Sequence, residues 1–394
     1  MKKTFAMMLI LLLLTGLVAC QLQAATPPPP TPIPTATLTP IPPTATQVPT
    51  STPIPPLNSP NGPPLSSIHM FTTLDGWGVI SDSLLLTHDG GIRWFSVPIP
   101  GVTVSALTNF AFFSEKIAFV QAPAADGLGG QFLSTFDGGG TWQTIVVPFI
   151  HASLYFVDDN VGFAYQVLRV DAENMSIAIY QTLDRGLTWT QVFNHDEPQT
   201  EGNLPAAGMK NGVSFVDYSI GWTSVATQNL GQILFYRTED SGRTWKLQEL
   251  PLPENPGAFN VKVLQPFFIK RNQIDGFLPI DFSLPDKSAS NRIFYTTHDS
   301  GTTWTPGAPI PDGGAYTFFD AKTGWAWGKR GLYSTTDGAQ TWLLMPVAFS
   351  RSERAIDINF IDATTGWLLT ADAKNRVRLY SSHDGGGTWV IVNP

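Results

Sequence analysis

The sequence predicts an all-β domain built from seven similar repeats, and two recurring features carry that prediction. The first is an eight-residue motif, Ser/Thr-x-Asp-x-Gly-x-Thr-Trp, which occurs seven times with its aspartates 38 to 59 residues apart. The second is an apolar run that ends in a Gly-aromatic pair and precedes each motif, with Ala118-Phe119 as the variant in the second repeat. Short strands repeating at this period are typical of a propeller or a solenoid. The motif aspartates are Asp89, Asp137, Asp184, Asp240, Asp299, Asp337 and Asp384.

Each motif is predicted to form a hairpin. Asp-x-Gly between two β-forming runs is a hairpin signal, because the Asp side chain accepts hydrogen bonds from turn amides and Gly readily adopts positive φ. The closing Trp then packs the returning strand against its neighbours. Only Arg93, in place of Thr, and Ala339, in place of Gly, depart from the pattern. We therefore expect the seven aspartates to be structural.

The N-terminus resembles a bacterial secretory signal. Lys2 and Lys3 form a positive start, an apolar run follows, and Cys20 stands after a small-residue cleavage site. We expect residues 1–19 to be a lipoprotein signal peptide and Cys20 to carry the lipid. This would anchor the chain on the outer side of the bacterial cell membrane, at the cell surface; the alternative is an ordinary exported protein cleaved nearby. Cys20 is the only cysteine, so disulfides cannot stabilise the domain.

Residues 20–64 are predicted to be a disordered Pro/Thr-rich tether. Proline supplies 16 of the 38 residues from Pro27 to Pro64, and no charged side chain occurs between Lys3 and Asp75. Such a composition cannot bury a core and favours extended polyproline II, with a reach on the order of 100 Å. The threonines are possible sites for O-linked sugars.

Residues 65–394 are predicted to form one seven-bladed β-propeller of four-stranded antiparallel blades. In the last repeat the expected strands are 356–361, 367–370, 377–381 and 388–392. No stretch resembles a long amphipathic helix, and a six-bladed ring would leave one repeat unplaced. The repeats begin with an inner strand and end with an outer strand, which gives no obvious strand exchange between the ends, and the sequence leaves the mode of ring closure open.

The repeats resemble Asp-box (BNR) repeats, which occur in sialidases, sortilin-type receptors, xyloglucanases and photosystem II assembly factors. The run from Phe318 to Gly328, followed by Gly331 to Gly338, is most similar to the photosystem II assembly and stability factor family. That resemblance covers the domain from about residue 65 onward. It implies a seven-bladed propeller that acts as a lumenal or lipid-anchored binding module in the assembly of a membrane complex, with an arginine patch on one face.

We expect no catalytic site, metal or cofactor. A sialidase resemblance would imply an Arg-Ile-Pro motif near the first blade, and the nearest string is the late Arg292-Ile293-Phe294. The histidines show no zinc-ligand spacing, and the glycine runs belong to hairpins. The alternative is a carbohydrate-active hydrolase or glycan-binding propeller in which two carboxylates face each other across a cleft. Its candidate residues are Asp196, Glu197, Glu201, Glu254 and Asp281.

A binding role is expected of the long loops on the face opposite the motif hairpins. Acidic side chains fall in repeats three to five, whereas basic ones fall in the last two. The candidate contact residues are Lys329, Arg330, Arg351, Arg354 and Trp327. The partner would be a protein segment or an anionic glycan; the alternative is a solvated rim balanced by Glu353 and Asp372. Trp327, the one tryptophan outside the repeat, is either an exposed anchor or additional core.

The charge balance argues against two classes of partner. The net charge is −8, and loss of Lys2 and Lys3 with the signal peptide makes it more negative. Nucleic acid or an anionic membrane surface is therefore not an expected target. We expect a monomeric, non-enzymatic module for protein binding or complex assembly at the cell surface. A structural component of a surface layer is a third possibility.

Overall fold

The computed structural model describes residues 64–124, 129–199, 203–252, 259–270, 273–347, 349 and 353–392, together with a short strand, β1 (Thr46–Gln47). The predicted signal peptide, Cys20 and most of the predicted tether lie outside these residues. Three side chains singled out from the sequence, Arg351, Glu201 and Glu254, also lie outside them. No helix in this part of the chain is long and apolar enough to cross a membrane.

The described residues form seven antiparallel sheets arranged as the blades of a propeller, and the first three are regular. Blade 1 contains β2 (Ser67–Met70), β3 (Gly76–Ile80), β4 (Ser83–Thr87) and β5 (Phe95–Val97). Blade 2 contains β6 (Asn109–Phe112), β7 (Ala118–Pro123), β8 (Gly130–Thr135) and β9 (Thr141–Val147). Blade 3 contains β10 (Ser153–Phe156), β11 (Gly162–Val170), β12 (Met175–Thr182) and β13 (Thr190–Asn194).

The remaining blades follow the same order, and in blades 4 and 5 the inner strand is split in two. Blade 4 contains β14 (Met209–Lys210), β15 (Ser214–Phe215), β16 (Gly221–Ala226), β17 (Leu234–Thr238) and β18 (Lys246–Leu247). Blade 5 contains β19 (Asn260–Val263), β20 (Phe267–Phe268), β21 (Gly276–Ser283), β22 (Ser290–Thr297) and β23 (Thr305–Pro311). Blade 6 contains β24 (Tyr316–Phe318), β25 (Gly324–Gly328), β26 (Gly331–Thr335) and β27 (Leu343–Leu344). Blade 7 contains β28 (Arg354–Phe360), β29 (Gly366–Ala371), β30 (Val377–Ser382) and β31 (Val390–Ile391).

The seven-bladed architecture with four-stranded antiparallel blades is confirmed. The short strand β1 adds to the outer edge of blade 2, where Thr46 stands opposite Trp142 and Gln47 opposite Thr141. In blade 4 the split of the inner strand falls at Gly212, whose φ of 83° takes the chain out of the extended conformation.

The core lies between the blades rather than at the centre of the ring. The described residues form seven hydrophobic clusters, one between each pair of adjacent blades. Each sheet is therefore apolar on both faces, which explains why strands such as β25 are buried along their whole length. Burial of aromatic rings between sheets supplies much of the stabilisation, because each ring removes a large apolar area from water.

The ring closes by packing of blade 7 against blade 1, without strand exchange. Leu65 and Trp94 of blade 1 share one cluster with Trp367 and Leu379 of blade 7. The Trp367 indole also donates a hydrogen bond to the carbonyl of Gly90, at 2.9 Å. The phase of the repeats agrees with this arrangement.

The alternation of strands gives the ring two different faces. The motif hairpins and the turns from first to second strand lie on one face, which we call the box face. The hairpins from second to third strand and the connections between blades lie on the other, which we call the loop face. Lys329 and Arg330 form a second-to-third hairpin, so they lie on the loop face.

Candidate functional site

The motif carboxylates accept hydrogen bonds from residues of their own hairpins, and Asp240 is an example. Its Oδ1 accepts hydrogen bonds from the Thr238 hydroxyl and the Thr244 amide, both at 2.8 Å, and its Oδ2 accepts one from the Thr244 hydroxyl at 2.6 Å. Burial favours the neutral form, but the hydrogen bonds from Thr244 and Thr238 outweigh it and lower the pKa of Asp240. A carboxylate held in this way is poorly suited to proton transfer or nucleophilic attack.

The loop face carries the basic sector, which we define as Lys329, Arg330 and Arg354, the described members of the set singled out from the sequence. Lys329 Nζ lies 3.6 Å from Asp312 Oδ2, and Arg354 Nη2 lies 3.5 Å from the side-chain oxygen of Asn375. Arg330 is exposed and has no ion pair among the residues that the structure describes. The Lys329–Asp312 contact is long and solvent-exposed, so it neutralises Lys329 only weakly, and Asn375 carries no charge to offset that of Arg354.

The two acids expected to balance this sector are engaged by other arginines. Asp372 forms an ion pair with Arg376, with 2.7 Å between Asp372 Oδ2 and Arg376 Nη2. Hydrogen bonds from the Arg376 amide and side chain lower the pKa of Asp372 to about 2. Glu353 accepts hydrogen bonds from Arg378 at 2.8 Å and from the Tyr380 hydroxyl at 3.1 Å. The sector is therefore not matched by these carboxylates.

Trp327 belongs to the core. Its side chain is only 9% exposed, its ring lies 5.2 Å from that of Phe349, and its amide donates to the carbonyl of Ala315 at 2.8 Å. The sequence left open whether Trp327 is an exposed anchor or additional core. The structure shows that it is core, packed between blades 6 and 7. It stands two residues before Lys329 on β25 and does not present a surface of its own.

The described candidate carboxylates of the hydrolase alternative have partners within their own blades. Asp281 is held on both oxygens by Arg292, at 2.7 and 2.9 Å, and Asp196 forms an ion pair with Arg169 at 2.6 Å. Glu197 accepts a hydrogen bond from the Gln191 side chain at 3.0 Å. Two carboxylates working as acid and base need free oxygens directed at a common substrate, and Asp281 has none.

One set of positions was not found from the sequence. In each blade, one inner-strand residue stands opposite the aromatic residue of the Gly-aromatic pair and faces the next blade around the channel. We call this set the channel girdle: His69, Ala111, Tyr155, Ser214, Phe267, Thr317 and Asn359. Its sequence signal was present, because each member directly precedes the last residue of an inner strand.

Several girdle side chains join neighbouring blades. The Tyr155 hydroxyl donates to the carbonyl of Phe215 at 2.9 Å, and the Ser214 hydroxyl donates to the carbonyl of Pro266 at 2.6 Å. The side-chain oxygen of Asn359 accepts a hydrogen bond from the backbone amide of Met70 at 2.8 Å. Inner strands have one edge without a neighbouring strand, so such bonds satisfy groups that would otherwise face the channel unpaired.

No metal centre is apparent in the part of the chain that the structure describes, since no group of three or more His, Cys, Asp or Glu side chains is placed to hold an ion. The histidines at the second position of a motif have local partners instead. His88 Nδ1 lies 2.8 Å from Asp75, and His298 Nδ1 lies 2.6 Å from Asp275. Each pair joins a motif hairpin to the turn beside it on the box face.

Comparison with known proteins gives a likeness of fold. No protein-family model matches the chain, and no curated protein matches it. Among solved structures, YCF48 bound to D1 peptide has a TM-score of 0.51 at 15% identity, over 86% of this chain and 96% of that chain. YCF48 from Cyanidioschyzon merolae has a TM-score of 0.51 at 18% identity, over 86% and 98%. An ulvan lyase of polysaccharide lyase family PL25 has a TM-score of 0.43 at 11% identity, over 70% and 80%. The chain is thus a seven-bladed β-propeller similar in fold to YCF48.

Proposed function

We propose that this chain is an exported, lipid-anchored binding module, not an enzyme, and that it holds an acidic segment of a protein partner on the basic sector of its loop face. The observation that carries the proposal is the state of Lys329, Arg330 and Arg354. All three are exposed on adjacent blades of an acidic protein, and the carboxylates nearest in sequence are committed to Arg376 and Arg378.

Arg330 and Arg354 have no carboxylate partner among the described residues, and Lys329 has only the long contact with Asp312, so these charges are available to a partner. Arginine can bind a carboxylate through two parallel hydrogen bonds, which gives both energy and orientation. A cluster of like charges also speeds encounter with a partner of opposite sign. The Lys329-Arg330 hairpin is well suited to this, because Gly328 pairs with Gly331 and leaves the two basic residues as a two-residue turn.

The similar structures support a protein partner. One of them is YCF48 bound to a D1 peptide, so a propeller of this architecture can hold a peptide. In this chain we propose that the lipid at Cys20 and the tether of residues 20–64 attach the propeller to the outer side of the membrane. The ring could then reach a membrane complex or another surface protein while it remains attached.

The hydrolase alternative has weaker support from the geometry. Asp281 and Asp196 are paired with Arg292 and Arg169, respectively. The remaining candidate with described side-chain contacts, Glu197, is hydrogen-bonded to Gln191. A catalytic pair would have to use Glu201 or Glu254, so turnover of aryl glycosides and sialosides by the purified chain, lost on changing either residue, would favour this alternative.

The direct test is crosslinking of the anchored protein in its native membrane, followed by mass spectrometry. The test variant reverses the sector with Lys329→Glu, Arg330→Glu and Arg354→Glu. The matched control reverses three exposed lysines elsewhere, Lys116→Glu, Lys246→Glu and Lys322→Glu, and so carries the same change in net charge.

The proposal expects one dominant protein partner with the native chain and the control, and its loss in the sector variant. The same partners with all three proteins would refute a role for the sector. Binding to uronic-acid or sulfated glycans can be compared for the same two variants. If the sector variant binds them as well as the control does, a glycan ligand at this site is excluded.

A further inference from the structure

The channel girdle contains one gap, at Ala111. At the equivalent positions, Tyr155, Ser214 and Asn359 extend far enough to hydrogen-bond the inner strand of the next blade. Ala111 ends at its Cβ atom and cannot do this. A recess of about 210 Å³ remains there, between the inner strands of blades 2 and 3.

The recess opens on the central channel. Its lining includes residues from both faces of β6, with Phe110 and Phe112 on one face and Ala111 on the other, and also Phe113 just after the strand. It can wrap around β6 in this way only at the edge of that strand that has no neighbour, which is the edge facing the channel. His69 of blade 1 and Tyr155 of blade 3 complete the two ends.

The walls are aromatic and rigid. The rings of Phe119 and Phe156 are stacked with centroids 4.0 Å apart, and the ring of His69 lies 4.8 Å from that of Phe112. Burial, with a smaller contribution from Lys270, lowers the pKa of His69 to about 4, so this ring is uncharged near neutral pH. The recess thus offers flat, uncharged surfaces that suit a planar ligand.

One cation reaches the recess from the far side of the channel. Lys270 directly follows Ile269 in the first turn of blade 5, and its Nζ lies 4.7 Å from the centre of the Phe113 ring of blade 2. That turn is longer than its counterpart in blade 6, because Gly276 stands eight positions after Phe268, whereas Gly324 stands six positions after Phe318.

Lys270 has no carboxylate within ion-pair distance among the residues that the structure describes. Its contact is with the face of an aromatic ring, which stabilises a cation only modestly. The Lys270 residue as a whole is exposed, but partial burial of its ammonium group lowers the pKa of the side chain. An ammonium group in this setting with no counter-ion is a favourable site for an anion. The neighbouring recess adds an apolar surface that an inorganic ion would not cover, so an anion with an apolar part fits the site better.

We propose that this recess binds a small organic anion, a carboxylate carried on a planar six-membered ring, with the ring beside Ala111 and the carboxylate on Lys270. A dry cavity of about 150 Å³ is enough to hold benzene, so the space is adequate. The site lies in the channel, away from the basic sector, and goes beyond the function proposed above. Its failure would leave that function untouched.

Benzoate is a suitable probe, and benzamide is its uncharged counterpart. Binding to the full chain, purified in detergent, can be measured by calorimetry or ligand-observed NMR, with detergent alone as a blank. A fragment of this size with one charge-assisted contact should bind with a Kd of about 0.1 to 1 mM. Benzamide should bind about tenfold more weakly or worse, because it cannot form the ion pair.

Three variants separate the contributions. Lys270→Met keeps the side-chain stem but removes the charge, and should weaken benzoate binding about ten- to a hundredfold. Ala111→Phe should abolish binding of both probes by filling the recess, and Ala111→Leu serves if the first variant does not fold by circular dichroism. Lys262→Met, an exposed lysine on the inner strand of the same blade, should bind benzoate like the native chain.

The proposal fails if the native chain does not bind benzoate at about 10 mM, well above the expected Kd. It also fails if Lys270→Met binds benzoate as tightly as the native chain does, or if both Ala111 variants keep full binding. Lys270→Met keeps the side-chain stem over the Phe113 ring, and circular dichroism shows whether the variant is folded. Unchanged benzoate binding by that folded variant would therefore count directly against the ion pair.

Discussion

The carboxylate of Asp357 accepts a hydrogen bond from the backbone amide of Ile68, at 3.0 Å, and this bond joins the last blade to the first. Two residues further along the same inner strand, Asn359 accepts the amide of Met70. Both amides lie on the edge of β2 that has no neighbouring strand. The side chains of blade 7 therefore satisfy the open edge of blade 1, and no exchanged strand is needed to close the ring.

This mode of ring closure places the carboxylate of Asp357 between blades 7 and 1, where it is poorly solvated. Burial raises the pKa of Asp357 from 3.8 to about 6, although the amides of Ile68 and Ile358 oppose the shift. Between about pH 4 and pH 6 the native protein keeps this proton while the unfolded chain releases it. Stability therefore falls as pH rises through this range, and the full cost of the buried charge is present above about pH 6.

Asp357→Asn should remove that cost while it keeps an oxygen for the Ile68 amide. We expect the variant to be more stable than the native chain at pH 8, by on the order of 1 to 2 kcal/mol after allowance for the partial exposure of the side chain. At pH 4 the two proteins should be nearly equal. Urea unfolding at both pH values measures this, and equal stability at pH 8 would show that the carboxylate is well solvated.

A motif aspartate should behave in the opposite way. The pKa of Asp240 is lowered, so the stability it contributes is present above about pH 4 and is lost as pH falls below that value. In the native chain the two oxygens of Asp240 accept hydrogen bonds from the Thr244 amide and the Thr244 hydroxyl. An asparagine side chain has only one oxygen, and its amide nitrogen is a donor, so Asp240→Asn cannot accept both bonds. We expect a loss of about 1 to 2 kcal/mol at pH 7 and a weaker dependence on acid.

Glu249→Gln is the matched control for this prediction, because Glu249 is an exposed carboxylate at the end of the same blade. Its effect on the free energy of unfolding should stay below about 0.5 kcal/mol. If Asp240→Asn and Glu249→Gln cost the same, the hydrogen-bond network of the motif would not contribute to stability.

Much of the fold was predictable because its determinants are local. The spacing of Asp337 and Trp342 specifies a hairpin within eight residues, and the recurrence of that unit gives the number of blades. The positions of the strands in blade 7 were likewise close to those observed, since alternation and turn residues mark their ends. The split of the inner strand in blade 4 was not predicted, because it depends on the positive φ of Gly212 and on packing against blade 5.

The candidate site was less predictable, because it depends on contacts between repeats. Sequence spacing placed Lys329 and Arg354 on one face, but it could not show that Asp372 pairs with Arg376 and Glu353 with Arg378. The burial of Trp327 likewise depends on Phe349, which lies in a connection between blades. The gap at Ala111 appears only when the seven inner strands are aligned by their pairing with the second strand.

Glycine at the fifth motif position should be needed where a neighbouring ring is close. Gly301 has a φ of 76°, and a Cβ atom there would lie 2.3 Å from the Trp222 ring. Ala339 holds the same position in blade 6 with a φ of 67°, so the backbone itself tolerates a methyl group. We expect Gly301→Ala to cost about 2 to 4 kcal/mol, combining left-handed strain with overpacking.

Gly101→Ala isolates the backbone part of that cost. Gly101 has a φ of 70°, but no atom lies within 4 Å of the point that an alanine Cβ would occupy, so its substitution should cost only about 1 kcal/mol. Thermal or urea unfolding of the two variants gives the comparison. Equal losses would mean that the Trp222 ring moves aside at no cost.

The girdle hydrogen bonds should contribute to cohesion between blades. The Tyr155 hydroxyl donates to the Phe215 carbonyl at 2.9 Å, from a site where burial raises the pKa of the phenol. Tyr155→Phe leaves that carbonyl without its partner, and should lower the free energy of unfolding by about 1 to 2 kcal/mol. Tyr218→Phe is the control, because this ring is 62% exposed on the box face and water can solvate its hydroxyl. If both variants unfold at the same urea concentration, the girdle bonds do not hold the blades together, and cohesion between blades comes from aromatic packing alone.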